Sequence, residues 1–192
     1  MRRVVPVVAA LLLALPVTVR ADPATLGRPA SRAEMTRLLA ALDLGTYTSE
    51  DTAPPFRAMS RDGRSVTLAD LKGHVVLLTF WATWCAPCKD ELPMFEQLHR
   101  AYEARGLTVI GINVRESGPV ITAFGQALGL TFPLLADPDG DISRRYGAVG
   151  LPVTFLLNRS GKPVGRAVGP RPWSGRAATA IVEALLAEPR TQ

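Results

Sequence analysis

Metal-binding side chains are scarce in this chain, with two cysteines and two histidines in 192 residues. A structural zinc site takes four such ligands and a catalytic one three. Only His74 and His99 could join Cys85 and Cys88, and nothing spaces them as a pair. Both histidines are expected as solvated surface residues, and a metal clip is set aside. Internal repeats and low-complexity tracts are absent too. The formal charge is +5, but three arginines fall within the first 21 residues, which hold no acid; without that segment it is +2. The other arginines are scattered and not interleaved with aromatics, which argues against a nucleic-acid partner. No run is long enough for a comfortable bilayer span. The longest, Val4 to Val19, carries Pro6 and Pro16 and falls short of the ~20 residues required.

What that run does have is a basic start and a small residue at its end. "MRRVVPVVAALLLALPVTVRA" follows the order of a secretory signal. Residues 1–21 are expected to be such a signal, cleaved after Ala21, or to persist as an N-terminal membrane anchor. Either outcome places the rest of the chain outside the cytoplasm, in the periplasm, where disulfides persist. Residues 22–53 read as a helix and a linker. Met35, Leu38, Leu39 and Leu42 recur at helical spacing behind Ser31 and Glu34, and "GTYTSEDTAPP" is polar and ends in proline. Residues 54–190 read as one α/β domain with a mixed central sheet. "SRDGRSVTL" is a hairpin around Asp62-Gly63; "HVVLLTFW" and "GLTVIGINV" are buried strands. A helix from about Ala86 to Arg105, kinked at Pro93, stands between those two strands. "FPLLAD" and "PVTFLLN" add strands, a short helix covers Ile142 to Tyr146, and "GKPVGRAVG" reads as an edge strand. A last helical stripe runs through Ala177, Ile181 and Leu185.

Cys85 and Cys88 stand in "FWATWCAPCKDELP", directly after a buried strand and at the start of a helix. As a structural staple they would do little, because closing so short a loop restrains few unfolded conformations. A helix start, in contrast, presents free N–H groups and the positive end of a dipole, and both stabilise a thiolate. The spacing favours a working redox pair.

"WCAPCKDELP", Pro93 five places after the second cysteine, and "GLPVT" together resemble the thioredoxin superfamily. More narrowly, with "NVRES" and "TFPLLADPDGDISRRYG", the chain resembles the TlpA/ResA-like thiol-disulfide oxidoreductases. The resemblance runs from about Pro54 to Leu186. It implies a thioredoxin-like fold with an N-terminal helical extension, and a redox-active disulfide with no other cofactor. Cys85 would be the attacking thiol and Cys88 the buried resolving thiol. Trp84 and Pro87 would flank the site. Pro152 would be a cis-proline facing the disulfide, with the Leu151 backbone pairing an extended client. Where thioredoxin carries a buried aspartate, this chain has Thr79, which cannot titrate. Glu91, three residues after Cys88, is the candidate replacement, and Glu116 matches a second family acid. A glutamate beside an apolar disulfide pocket should have a raised pKa, useful to a base near neutral pH.

The resulting expectation is an extracytoplasmic reductase of protein disulfides, serving cytochrome c maturation or a similar task. It would act as a monomer on a protein client and be recharged by a membrane electron donor. A DsbA-like oxidase usually has Pro-His, not Ala-Pro, between its cysteines. A peroxiredoxin-like peroxidase should have threonine three places before the reactive cysteine, where this chain has Ala82. A peroxidase or a non-enzymatic metal chaperone remains the alternative.

Overall fold

A computed structural model of the chain describes residues 29–48 and 50–189, so the signal expected at 1–21 lies outside the described residues. The strand β4 (Val75–Trp81) organises the rest. All seven of its residues are buried, as a run that is apolar but for Thr79 requires of a strand covered on both faces. It pairs in parallel with β5 (Leu107–Val114) and antiparallel with β7 (Val153–Leu157). Outward from β5 come β6 (Leu134–Asp137) and the hairpin β2 (Arg57–Ser60) and β3 (Ser65–Thr67). Outward from β7 come β8 (Pro163–Val168) and β1 (Gly45–Thr46), giving the order β1-β8-β7-β4-β5-β6-β2-β3.

Alternation along β4 sends side chains into two cores. Val75, Leu77 and Trp81 join the core covered by α1 (Arg32–Ala41), α2 (Ala86–Tyr102), α3 (Gly118–Ala127) and α5 (Arg176–Leu186). Val76, Leu78 and Phe80 face the second core, with Phe155, Leu157 and, beside the short helix α4 (Asp141–Arg145), Tyr146. The helix α1 opens as its sequence suggests, the Ser31 hydroxyl accepting from the Glu34 N–H at 3.2 Å. No helix among the described residues is long and apolar enough to cross a membrane.

Three expectations need correction. The strand in "GKPVGRAVG" is not an edge, because β1 pairs with it through Gly45↔Arg166 and Thr46↔Gly165. The segment read as pure linker therefore begins with a two-residue strand, too short to show any period. The long helix stops at Tyr102 and finishes in a 3-10 turn, Glu103–Arg105, before the left-handed Gly106, with Pro93 inside the helix. His99 is buried, packed edge-on against Phe132 at 6.1 Å, and its Nε2 lies 3.6 Å from the Glu103 carboxylate. His74 is exposed as expected.

In the middle of β5, Gly111 leaves no room for a side chain. A Cβ there would meet Leu134 Cδ2 at 2.9 Å, Trp81 Nε1 at 3.0 Å and Phe132 Cε2 at 3.2 Å. All three neighbours are buried and cannot swing outward. Gly111→Ala is expected to destabilise the fold by about 1–3 kcal/mol, read as a lower denaturant midpoint. A midpoint at or above that of the parent would show that the neighbours yield.

Candidate active site

Sheet register brings three chain segments to the carboxyl end of β4. The parallel pair Trp81↔Asn113 places the exit of β5 beside the exit of β4. The antiparallel pair Phe80↔Val153 sets Pro152, the residue before β7, level with Trp81. A loop of three residues, Ala82 to Trp84, then carries the chain from β4 to Cys85.

Cys85 is the N-cap of α2, Pro87 fills the first turn, and the two sulfurs are joined. The Cα atoms are 5.3 Å apart. The Cys88 N–H donates to Cys85 Sγ at 3.3 Å, so a free donor of the helix start is aimed at the sulfur where a thiolate would form. Cys85 is 5% exposed and Cys88 1%, which leaves Cys85 as the more accessible residue. Trp84 beside it is 69% exposed. Proline suits the first turn of a helix because its missing N–H would have no partner there.

Glu91 is one turn beyond Cys88 on the same helix and is 1% exposed. Its Oε1 accepts from the Arg171 main-chain N–H and from the Trp173 indole Nε1–H, each at 2.7 Å. Its Oε2 is buried and has no partner among the described residues. Burial pushes the carboxyl up to about 7, against the opposing pull of those two donors and of the Arg171 charge. Thr79, at the position of the thioredoxin aspartate, is buried and accepts from the Thr154 hydroxyl at 3.0 Å.

Glu116 is half-buried and engaged on both oxygens. Oε2 accepts from the Thr83 N–H and the Asn113 amide, each at 2.7 Å, and Oε1 accepts from the Thr83 hydroxyl. Arg115 before it adopts a left-handed φ of 63°, turning the chain off β5 back toward the 82–84 loop. Glu116 thus ties the loop before Cys85 to the end of β5.

The Leu151–Pro152 peptide is cis. The Pro152 carbonyl accepts from Gly169 N–H at 2.9 Å. The Leu151 N–H and carbonyl make no hydrogen bond among the described residues. Val149, two residues earlier, is 96% exposed. The register therefore places an unpaired stretch of backbone and exposed apolar groups, Trp84 and Val149, on segments that converge at the end of β4. Sequence reasoning missed Trp173, Arg171, Thr83 and Asn113; a buried acid needing donors was the one signal pointing to such partners. No group of three or more His, Cys, Asp or Glu that could hold a metal ion is found among the described residues.

Comparison with known proteins follows the same outline. The model of the AhpC/TSA family matches residues 50–163. The thiol-disulfide oxidoreductase ResA of Geobacillus thermodenitrificans is 38% identical over 111 residues, 58% of this chain and 64% of that protein. The protein of the same name from Bacillus thuringiensis is 33% identical over 126 residues, 62% of this chain and 73% of that protein. A crystal structure of a thiol:disulfide interchange protein of the thioredoxin family from Chlorobium tepidum superposes with a TM-score of 0.64 at 31% identity. It covers 73% of this chain and 99% of that one. The chain spans just under two thirds of the first of these relatives, at 64% of its length.

Proposed function

This chain belongs to the AhpC/TSA family, among its ResA-like thiol-disulfide oxidoreductases, and on that footing we propose that it reduces protein disulfides outside the cytoplasm. The observation that carries the reading is the pairing of an N-cap cysteine with a buried acid one turn past its partner. In the reduced protein the Cys85 thiolate attacks one sulfur of a client disulfide. A Cys85–client bond forms, the client disulfide breaks, and the departing client sulfur takes up a proton. Cys88 then gives its proton to the Glu91 carboxylate and attacks Cys85 Sγ. The Cys85–Cys88 bond closes, the mixed disulfide breaks, and the client leaves with both cysteines reduced. Two electrons have moved to the client, and a thiol donor at the membrane must restore them.

Glu116 positions the loop that carries Trp84 and Cys85. The free backbone at Leu151 and the cis-proline after it offer an extended client a line of hydrogen bonds, as an unpaired strand edge does. The basic, apolar and small-residue order of residues 1–21 supports the compartment. Apocytochrome c or another periplasmic thiol protein is the client in this reading. The chain works as a monomer, and the cysteine couple needs no further cofactor.

Mixing reduced protein with a protein disulfide under single-turnover conditions tests the proposal. Oxidation of the Cys85–Cys88 pair should match client disulfide reduced, one for one. Peroxide should oxidise the pair far more slowly, since buried Ala82 has no hydroxyl to offer a peroxide. Faster oxidation by peroxide than by the protein disulfide would replace this reading with a peroxidase.

A further inference from the structure

Glu91 owes its environment to a segment far away in the chain. Pro170, Arg171, Pro172 and Trp173 cross over α2 between β8 and α5 and deliver both donors that meet the carboxyl. Trp173 is 1% exposed, and its ring packs on Phe95 of α2 at 5.2 Å. Two prolines flank Arg171 and restrict its backbone. The Arg171 guanidinium clamps the segment to the turn after α1. It donates to the Leu42 carbonyl at 3.0 Å, to the Asp43 carbonyl at 2.9 Å and to the Asp43 carboxylate at 2.8 Å. Both donors therefore reach Glu91 from a braced loop, and both fall on the same oxygen.

We propose that Trp173 is a positioning residue for the Glu91 carboxyl, its indole N–H holding Oε1 together with the Arg171 N–H so that Oε2 alone takes up and returns the proton. This rests on the reading of Glu91 as the acid that serves Cys88. Without the indole, the carboxyl has one anchor instead of two and can present either oxygen. A carboxylate accepting two N–H donors is also favoured over its neutral form, so losing one donor must move the titration upward. The other charged or titratable groups facing Glu91 are the Arg171 guanidinium, which is paired with Asp43, and, after reduction, the neutral Cys88 thiol.

The test follows the Glu91 carboxyl carbon by 13C NMR in the oxidised full-length protein, where neither cysteine titrates. Trp173→Phe keeps an aromatic ring against Phe95 but removes the donor together with one of the two fused rings. Its Glu91 midpoint should lie above that of the parent by about one pH unit, the size expected for one hydrogen bond to a charged group. Should the phenylalanine variant not fold, benzothienylalanine at 173 replaces the indole N–H by sulfur at nearly unchanged ring size. The same shift is expected there. A parent midpoint near 7 that both variants leave in place would overturn the role of Trp173 while the acid assignment stands. A parent midpoint near the ordinary glutamate value would overturn both.

Discussion

Cys88→Ser should accumulate a covalent adduct with its client, and Cys85→Ser should accumulate about tenfold less or none. The asymmetry follows from the helix start. Cys85 occupies the N-cap, where the Cys88 N–H already points at its sulfur from 3.3 Å, and it is the more exposed of the pair. Charge stabilisation at a helix end is worth about 0.3–1 kcal/mol on an open surface and up to ~2 in a partly buried site, roughly a two- to thirtyfold gain in thiolate. Cys88, in the first turn and 1% exposed, has no route to a client sulfur and can only attack Cys85. A serine at 88 removes the second attack and leaves the mixed disulfide intact. Alkylation of the reduced parent near pH 7 should label Cys85 first, with mass spectrometry locating the label. Label on Cys88, or adducts formed only by Cys85→Ser, would reverse the roles.

The cysteines and the strand before them were legible because each signal is local. Seven consecutive buried residues at Val75–Trp81 require a run that is apolar but for Thr79, and the helix start follows within five residues. The hairpin turned on Asp62-Gly63 by the same logic. Glu91 was legible as an acid near the site, but its partners were not. Arg171 and Trp173 stand 80 and 82 residues further on, and no period links such positions. The burial of His99 could have been read. Cys88, Leu92, Phe95, His99 and Tyr102 form one helical stripe, all buried, and that spacing outweighs the polarity of the imidazole. For Glu116 the sequence offered an acid. The left-handed turn at Arg115 and the hydrogen bonds that aim the Glu116 oxygens at Thr83 and Asn113 carry no sequence signal.

Glu91→Gln should lose activity and gain alkaline stability, two changes that a solvated helix glutamate would not produce together. Burial holds the folded carboxyl at about 7, against an ordinary value of 4.5. Below 4.5 both folded and unfolded chains carry the proton, and the acid does not disfavour folding. As pH rises, the unfolded chain ionises first. That stabilisation is lost progressively until pH passes about 7, where the fold must hold a buried carboxylate. The parent should therefore lose about 2–3 kcal/mol between pH 5 and pH 8 through this one group. Glutamine resembles the protonated acid. Its carbonyl can accept from the Arg171 and Trp173 donors, and its amide replaces the partnerless Oε2 at a cost of about 1–3 kcal/mol that does not vary with pH. Denaturant unfolding of the oxidised proteins should thus show Glu91→Gln gaining on the parent by about 2–3 kcal/mol from pH 5 to pH 8. At pH 8, where the parent's Glu91 is ionised, the variant's single-turnover client reduction should fall by about a hundredfold, because an amide cannot take the Cys88 proton. The loss should shrink toward pH 5 as the parent's carboxyl takes up its own proton. If stability keeps the parent's pH dependence and the rate is unchanged, Glu91 does not carry the proton of the resolving thiol.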